Sequence, residues 1–229
     1  MKKILYILLA FITITLCSSC DWLEPEQDPS TQMYHTAATL ISNPSLGQYI
    51  FLADDSVQLI PTSPLTIPDA QKDSLLNKRY YITFQIEHKT TQIYKINLIS
   101  MQMMSEESII HVIHNDSIPT GKNELLSIKL LWTSGTYLNI LTQIQGSGYT
   151  KHNYRLFYNT NSNSDTLYLT MRYDNNNDRP TYTLQQAIYY DLKEYLTNKS
   201  DSTTICFNYN SGTPIYDTLY LKIANKWKN

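Results

Sequence analysis

The chain has 229 residues, 42% of them hydrophobic, only 17% charged, and a net charge of −2. That is enough apolar material for one large or two small cores, and no basic stripe is present to neutralise phosphates, which argues against nucleic acid as a partner. Polarity comes from Asn, Thr, Ser, Gln and 19 Tyr rather than from charge.

The N-terminus carries Lys2 and Lys3, then about a dozen apolar residues from Ile4 to Leu16, too short for an ordinary membrane span. Ser18, Ser19 and Cys20 follow. The stretch resembles the lipobox of bacterial lipoproteins, with Cys17 where that pattern favours Leu. The resemblance implies cleavage before Cys20, a signal peptide over 1–19, and an acylated Cys20 holding the protein to a lipid bilayer. Two or three chains on one cysteine make such an anchor stable, since each buried methylene contributes about 0.8 kcal/mol. Residues 20–32 read as a tether: Asp21, Glu24, Glu26 and Asp28 alternate with Pro25 and Pro29, a composition that favours an extended spacer. Acid behind the lipidated cysteine resembles an outer-membrane sorting signal, so the expected location is the cell envelope, on the outer membrane and exposed at its surface. With Cys17 removed and Cys20 acylated, only Cys206 remains. It lies between Ile205 and Phe207, where it reads as a small buried hydrophobe.

From there the hydrophobic period is two, the signature of strands. Expected strands are His35–Ile41, Gln48–Ala53, Val57–Ile60, Arg79–His88 and Ile93–Ile99. Asp54-Asp55-Ser56 turns the second into the third. The stretch 61–68 holds Pro61, Pro64 and Pro68 and reads as a loop. Tyr80, Ile82, Phe84 and Ile86 share one face, as do Tyr94, Ile96 and Leu98. Gln102–Ser108 is irregular, and Ile109–His114 is a strand or connector before a turn-rich Asn115–Asn123. Further strands are expected at Leu126–Trp132, Tyr137–Ile144, Lys151–Asn159, Thr166–Tyr173, Ile188–Leu192, Ser202–Tyr209 and Asp217–Ala224, with one helical turn near Leu192–Thr197. Short strands at this spacing suggest an antiparallel sandwich.

At Trp132-Thr133-Ser134-Gly135-Thr136-Tyr137-Leu138-Asn139-Ile140 the chain resembles the NigD-like lipoproteins, as it does at Gln48–Pro61, Arg79–Ile86, Tyr94–Leu98, His152 and Tyr189–Leu192. It departs from that family at Arg172-Tyr173-Asp174, where Arg-His-Asn is usual, and in an acidic turn without glycine. The resemblance implies an all-β fold with an OB-like five-stranded barrel over 33–106 and a C-terminal antiparallel β-sandwich over 107–229. It also implies bacteriocin immunity as one role for the family's namesake.

No constellation in the chain calls for catalysis, a metal or another cofactor. His111 and His114, with Asp116 near, point to opposite faces if they lie on a strand. Asn175-Asn176-Asn177-Asp178 lacks the spaced carboxylates of a calcium loop and reads as a solvated turn. Nothing matches the zincin, phosphate-loop or nucleophile-elbow patterns. Trp132 and Tyr137 flank Gly135 as a hairpin pair or as ligand-facing aromatics. Asp followed by Ser or Thr recurs before strands, presenting Ser56, Ser74, Ser117, Thr166, Ser202 and Thr218. These hydroxyls fit strand starts after turns, and they also resemble the acceptors of an O-glycosylation system for exported proteins. The expectation is therefore a non-catalytic envelope module that binds a protein or a glycan. The alternatives are a carbohydrate-active hydrolase, which needs two carboxylates across a cleft, and an envelope assembly factor.

Overall fold

The structure, a computed structural model, describes residues 32–113, 118, 121–160, 165–197, 201–212 and 217–224. Cys20, most of the tether, His114, Asp116 and Ser117 lie outside the described residues.

Five strands close a barrel: β1 (Tyr34–Asn43), β2 (Gln48–Ala53), β3 (Gln58–Pro61), β4 (Arg79–Lys89) and β5 (Ile93–Met103). Their order around the wall is β1-β2-β3-β5-β4, with β3 and β5 parallel and the other ladders antiparallel. This is the expected OB-like barrel. Ala38, Leu40, Phe51, Leu59, Tyr80, Ile82, Phe84 and Ile96 fill it, as period-two patterning requires. Two register shifts in the β4–β5 ladder, at Thr83/Phe84 and Ile86/His88, are the bulges that bend a sheet toward closure. The proline loop leads into a single 3₁₀ turn, Asp69–Gln71, and α1 (Lys72–Leu75), which were not foreseen. Leu65, Ile67 and Leu76 from this segment pack against the barrel core, and the Tyr80 hydroxyl donates to the Leu75 carbonyl at 3.0 Å.

The second half is two sheets. One runs β14-β13-β11-β10-β7 and the other β6-β12-β9-β8. Their strands are β6 (Ser105–Glu106), β7 (Ile109–Val112), β8 (Ser127–Ser134), β9 (Tyr137–Gly146), β10 (Asn153–Asn159), β11 (Thr166–Asp174), β12 (Tyr182–Asp191), β13 (Ser202–Tyr209) and β14 (Asp217–Ala224). A single helical turn, α2 (Lys193–Leu196), falls where expected. The core between the sheets includes Leu138, Ile140, Leu156, Leu167, Leu169, Ile188, Tyr190, Ile205 and Phe207.

The sandwich is not wholly antiparallel: β7–β10, β11–β13 and β6–β12 are parallel ladders. The chain crosses to the other sheet between the partners in each case; β12, for example, lies between β11 and β13 in sequence and in the opposite sheet. Crossing alone does not set direction, since β9 and β12, separated by β10 and β11 of the other sheet, pair antiparallel. β12 also starts at Tyr182, earlier than the expected Ile188. Its first half carries Gln185, Gln186 and Ala187, residues of low strand propensity that are held by pairing to β9 along the whole strand.

Candidate functional site

The outer face of the β6-β12-β9-β8 sheet packs on the outside of the barrel. Ala37 from β1, Met104, Leu141 from β9 and Ala187 from β12 are buried together, flanked by Tyr81, Trp132 and Tyr189. His35 stacks on Tyr81 (centroids 5.8 Å apart), and Tyr81 meets Trp132 at 5.9 Å, so an aromatic row runs from barrel to sandwich. β9 is consequently buried on both faces, with Leu138 through Thr142 all inaccessible.

Beside this apolar seam sits a buried polar knot. Arg79, the first residue of β4, donates Nη1 to Asp54 Oδ1 at 2.6 Å and Nη2 to Asp54 Oδ2 at 2.8 Å, a two-pronged ion pair. Nη2 also donates to Asn139 Oδ1 at 3.0 Å, and Asn139 is wholly buried on β9. Asn139 Nδ2 donates to Ser134 Oγ, and Ser134 donates to Asp54 Oδ2, closing a ring across both halves. The guanidinium lies 3.8 Å from the Tyr137 ring centre and 5.1 Å from that of Tyr189. Burial pushes the Tyr137 phenol above its ordinary range. Gly135 makes the approach possible. Its φ is +56°, and a Cβ there would stand 3.0 Å from Asp54 Cβ.

The segment Trp132–Ile140 therefore works as one device. Trp132 enters the seam, Ser134 and Asn139 hold Asp54 and Arg79, Gly135 admits the acidic turn, and Tyr137 covers the cation. Sequence reasoning flagged Trp132, Gly135 and Tyr137 but missed Arg79, Asp54 and Asn139 as partners. An asparagine in the middle of an apolar strand was the available signal.

A second polar cluster closes the sandwich end. Asp178 accepts from the Ser147 backbone N–H (2.7 Å), Ser147 Oγ (2.6 Å) and His152 Nε2 (3.0 Å). The carboxyl is held well below its usual range, by the Ser147 hydroxyl first and His152 next. An ionised carboxylate only accepts, so Nε2 carries the proton and Nδ1 accepts from the Tyr173 hydroxyl. Asp178 is thus buried rather than a member of a solvated turn. The strain of that turn falls on Asn176 and Asn177, both at positive φ. Tyr173, the departure from Arg-His-Asn, is the residue that completes the histidine's bonding. Serine, histidine and aspartate meet here in the wrong order for acyl transfer. The carboxylate stands between the other two, and the serine proton points at it rather than at imidazole.

A cleft of about 270 Å³ opens beside this cluster, between the end of β5 and β12, lined by Met103, Met104, Glu107, Lys151, Tyr154 and Gln186 among others. Tyr154 donates to Gln186 Oε1 at 2.6 Å, and burial pushes its phenol up to about 12. Among the described residues, no group of three or more His, Cys, Asp or Glu could hold a metal ion. His111 instead bonds the Tyr195 hydroxyl at 2.7 Å. No helix of the described residues is long and apolar enough to cross a membrane.

The Asp-Ser/Thr hydroxyls are dispersed. Ser56 sits at φ +67° in the β2–β3 turn, and Ser74 in α1 donates to the carbonyl of Gln71, the residue just before that helix. Thr166, Ser202 and Thr218 lie on β11, β13 and β14, with Thr218 donating to Asn208 Oδ1 at 2.7 Å. Cys206 is buried, as expected.

A barrel joined to a two-sheet sandwich through one shared interface defines a class of all-β, two-part proteins. Residues 110–218 match the family of the NigD-like C-terminal beta sandwich domain. Solved structures repeat the whole arrangement. A protein of unknown function from Bacteroides vulgatus aligns at TM-score 0.66 and 17% identity, over 86% of this chain and 93% of that one. A candidate lipoprotein from Bacteroides fragilis aligns at 0.52 and 16%, over 85% and 99%. A NigD-like immunity protein from Bacteroides caccae aligns at 0.56 and 14%, over 86% and 98%. At these identities the likeness is one of fold. No curated protein matches the sequence.

Proposed function

We propose that this chain is a non-catalytic interaction module of the cell envelope, tethered to the outer membrane by acylated Cys20, with a protein or glycan as its partner. The observation that carries this reading is how the polar clusters are used. The carboxylate of Asp54 is committed to Arg79 and Ser134, and that of Asp178 to Ser147 and His152. Each is locked into a ring of fixed partners, and the Asp178 carboxyl, held well below its usual range, cannot serve as the protonated acid that glycoside hydrolysis needs. These groups couple secondary-structure elements, and recognition falls to the surface. The lipoprotein and immunity names carried by the Bacteroides fragilis and Bacteroides caccae proteins agree with a tethered binder, immunity being the case in which the partner is a toxin.

Capture from native membranes, with the tagged chain as bait and Cys20→Ser as comparison, tests the reading. A stoichiometric partner held by the membrane-bound protein supports it. Turnover of a polysaccharide or peptide by the purified chain would replace it with an enzymatic one.

A further inference from the structure

The outward face of the β14-β13-β11 strands carries an aromatic tile that neither the interdomain knot nor the histidine cluster uses. The ladders set Tyr220, Cys206 and Tyr168 side by side in one row, and Thr218, Asn208 and Thr170 in the next. Tyr220 is 72% exposed and Tyr168 42%, while Cys206 between them is only 5% exposed. Cys206 beside it pushes the Tyr220 phenol above its ordinary range. Cys206 lies on the outward face yet is almost inaccessible, so the exposed tyrosines on either side cover it. The tyrosines thus roof Cys206 from two sides, on strands about 10 Å apart.

The chemistry around the rings selects the occupant. The two central rows contain hydroxyls, an amide, a thiol and phenols, with no charged side chain. Lys222 stands one row away on one side and Arg172 on the other. Thr218 donates to Asn208 Oδ1, which leaves the Asn208 amide nitrogen as an outward donor. Flat rings offer stacking surface to the apolar C–H faces of a sugar, and neutral donors and acceptors suit its hydroxyls. A charged peptide or an anionic polymer finds no counter-charge in these rows.

We propose that this face is a binding platform for a neutral oligosaccharide, with Tyr168 and Tyr220 as the stacking rings and Asn208 and Thr170 as hydrogen-bonding neighbours. The proposal rests on the reading of the chain as an interaction module and names its partner class.

The test is electrophoresis of the full chain, in non-ionic detergent, through native gels containing soluble starch, xyloglucan, laminarin or galactomannan, with polygalacturonate as the charged comparison. At least one neutral polysaccharide is expected to retard the protein and polygalacturonate is not. Tyr168→Ala and Tyr220→Ala should each weaken retardation about ten-fold or more, as truncation of an aromatic anchor does. Tyr220→Phe keeps the ring and should keep binding, and Tyr182→Ala, at an exposed tyrosine on the other sheet, should change nothing. An unchanged thermal midpoint establishes that the variants are folded. Failure of all four neutral polymers, or retardation unaffected by both alanine variants, overturns the platform. So does self-association of the chain that Tyr220→Ala abolishes. If a protein partner is captured from membranes while no neutral glycan binds, the interaction module stands and the glycan proposal falls.

Discussion

Arg79 and Asp54 meet in a two-pronged ion pair, with side chains only 5% and 8% exposed, at the place where the barrel's acidic turn touches the sandwich. The pair is short in sequence separation compared with its consequence. Two further bonds, Arg79 to Asn139 and Ser134 to Asp54, carry it to β9 and β8, so the pair formed in the first half of the chain is fastened to the second.

Breaking that pair leaves a buried charge uncompensated. Arg79→Met or Asp54→Ala is expected to lower unfolding free energy by about 3–5 kcal/mol. Arg79→Lys should rescue little, since ammonium cannot reproduce the fork that spans Asp54 and Asn139. Urea unfolding followed by circular dichroism checks this, and separation into two transitions is expected in the variants as the halves lose their coupling.

Gly135 is tied to the same contact. Gly135→Ala places a methyl 3.0 Å from Asp54 Cβ at a φ of +56°. The expected loss is about 1–3 kcal/mol, from positive φ and crowding together. In the Asp54→Ala background the Cβ clash eases only in part, but the ion pair is already gone, so the two losses should fall short of adding.

Asp178 makes stability pH-dependent in a defined direction. Its folded carboxyl lies below the ordinary value of 3.8, chiefly through the Ser147 hydroxyl and His152. A depressed carboxyl contributes fully above its unfolded value, and that contribution is lost as pH falls toward the folded one. The stability gap between the parent and Asp178→Asn should therefore be constant from pH 7 to about 5 and shrink progressively below about pH 4. Urea midpoints of both proteins across this range provide the check.

Much of the architecture was readable because strands with one buried face advertise themselves. Gln48–Ala53, Ser202–Tyr209 and Asp217–Ala224 fall where alternation and turn residues put them. Period two fails where a strand is buried on both faces or held mainly by its neighbours. Tyr182–Ala187 escaped notice for that reason, and so did the two-residue β6. Parallel ladders were invisible because direction depends on where the chain goes between partners. The interdomain knot shows a further limit. Gly135 and Tyr137 stand out locally, but their partners Asp54 and Arg79 are dozens of residues away, and no period links them. Asp178 illustrates the same point: its turn looks solvated in sequence, and only the fold brings Ser147 and His152 around it.

The central claim is that a rigid two-part β body acts from the surface of a membrane to which one sulfur holds it. Mass spectrometry of the N-terminal peptide, from protein purified out of the native membrane fraction, tests it most directly. The account predicts a chain beginning at Cys20 and carrying two or three fatty acyl groups, with Cys20→Ser protein lost from the membrane. An unacylated thiol at Cys20, in a chain recovered from the soluble fraction, would contradict it.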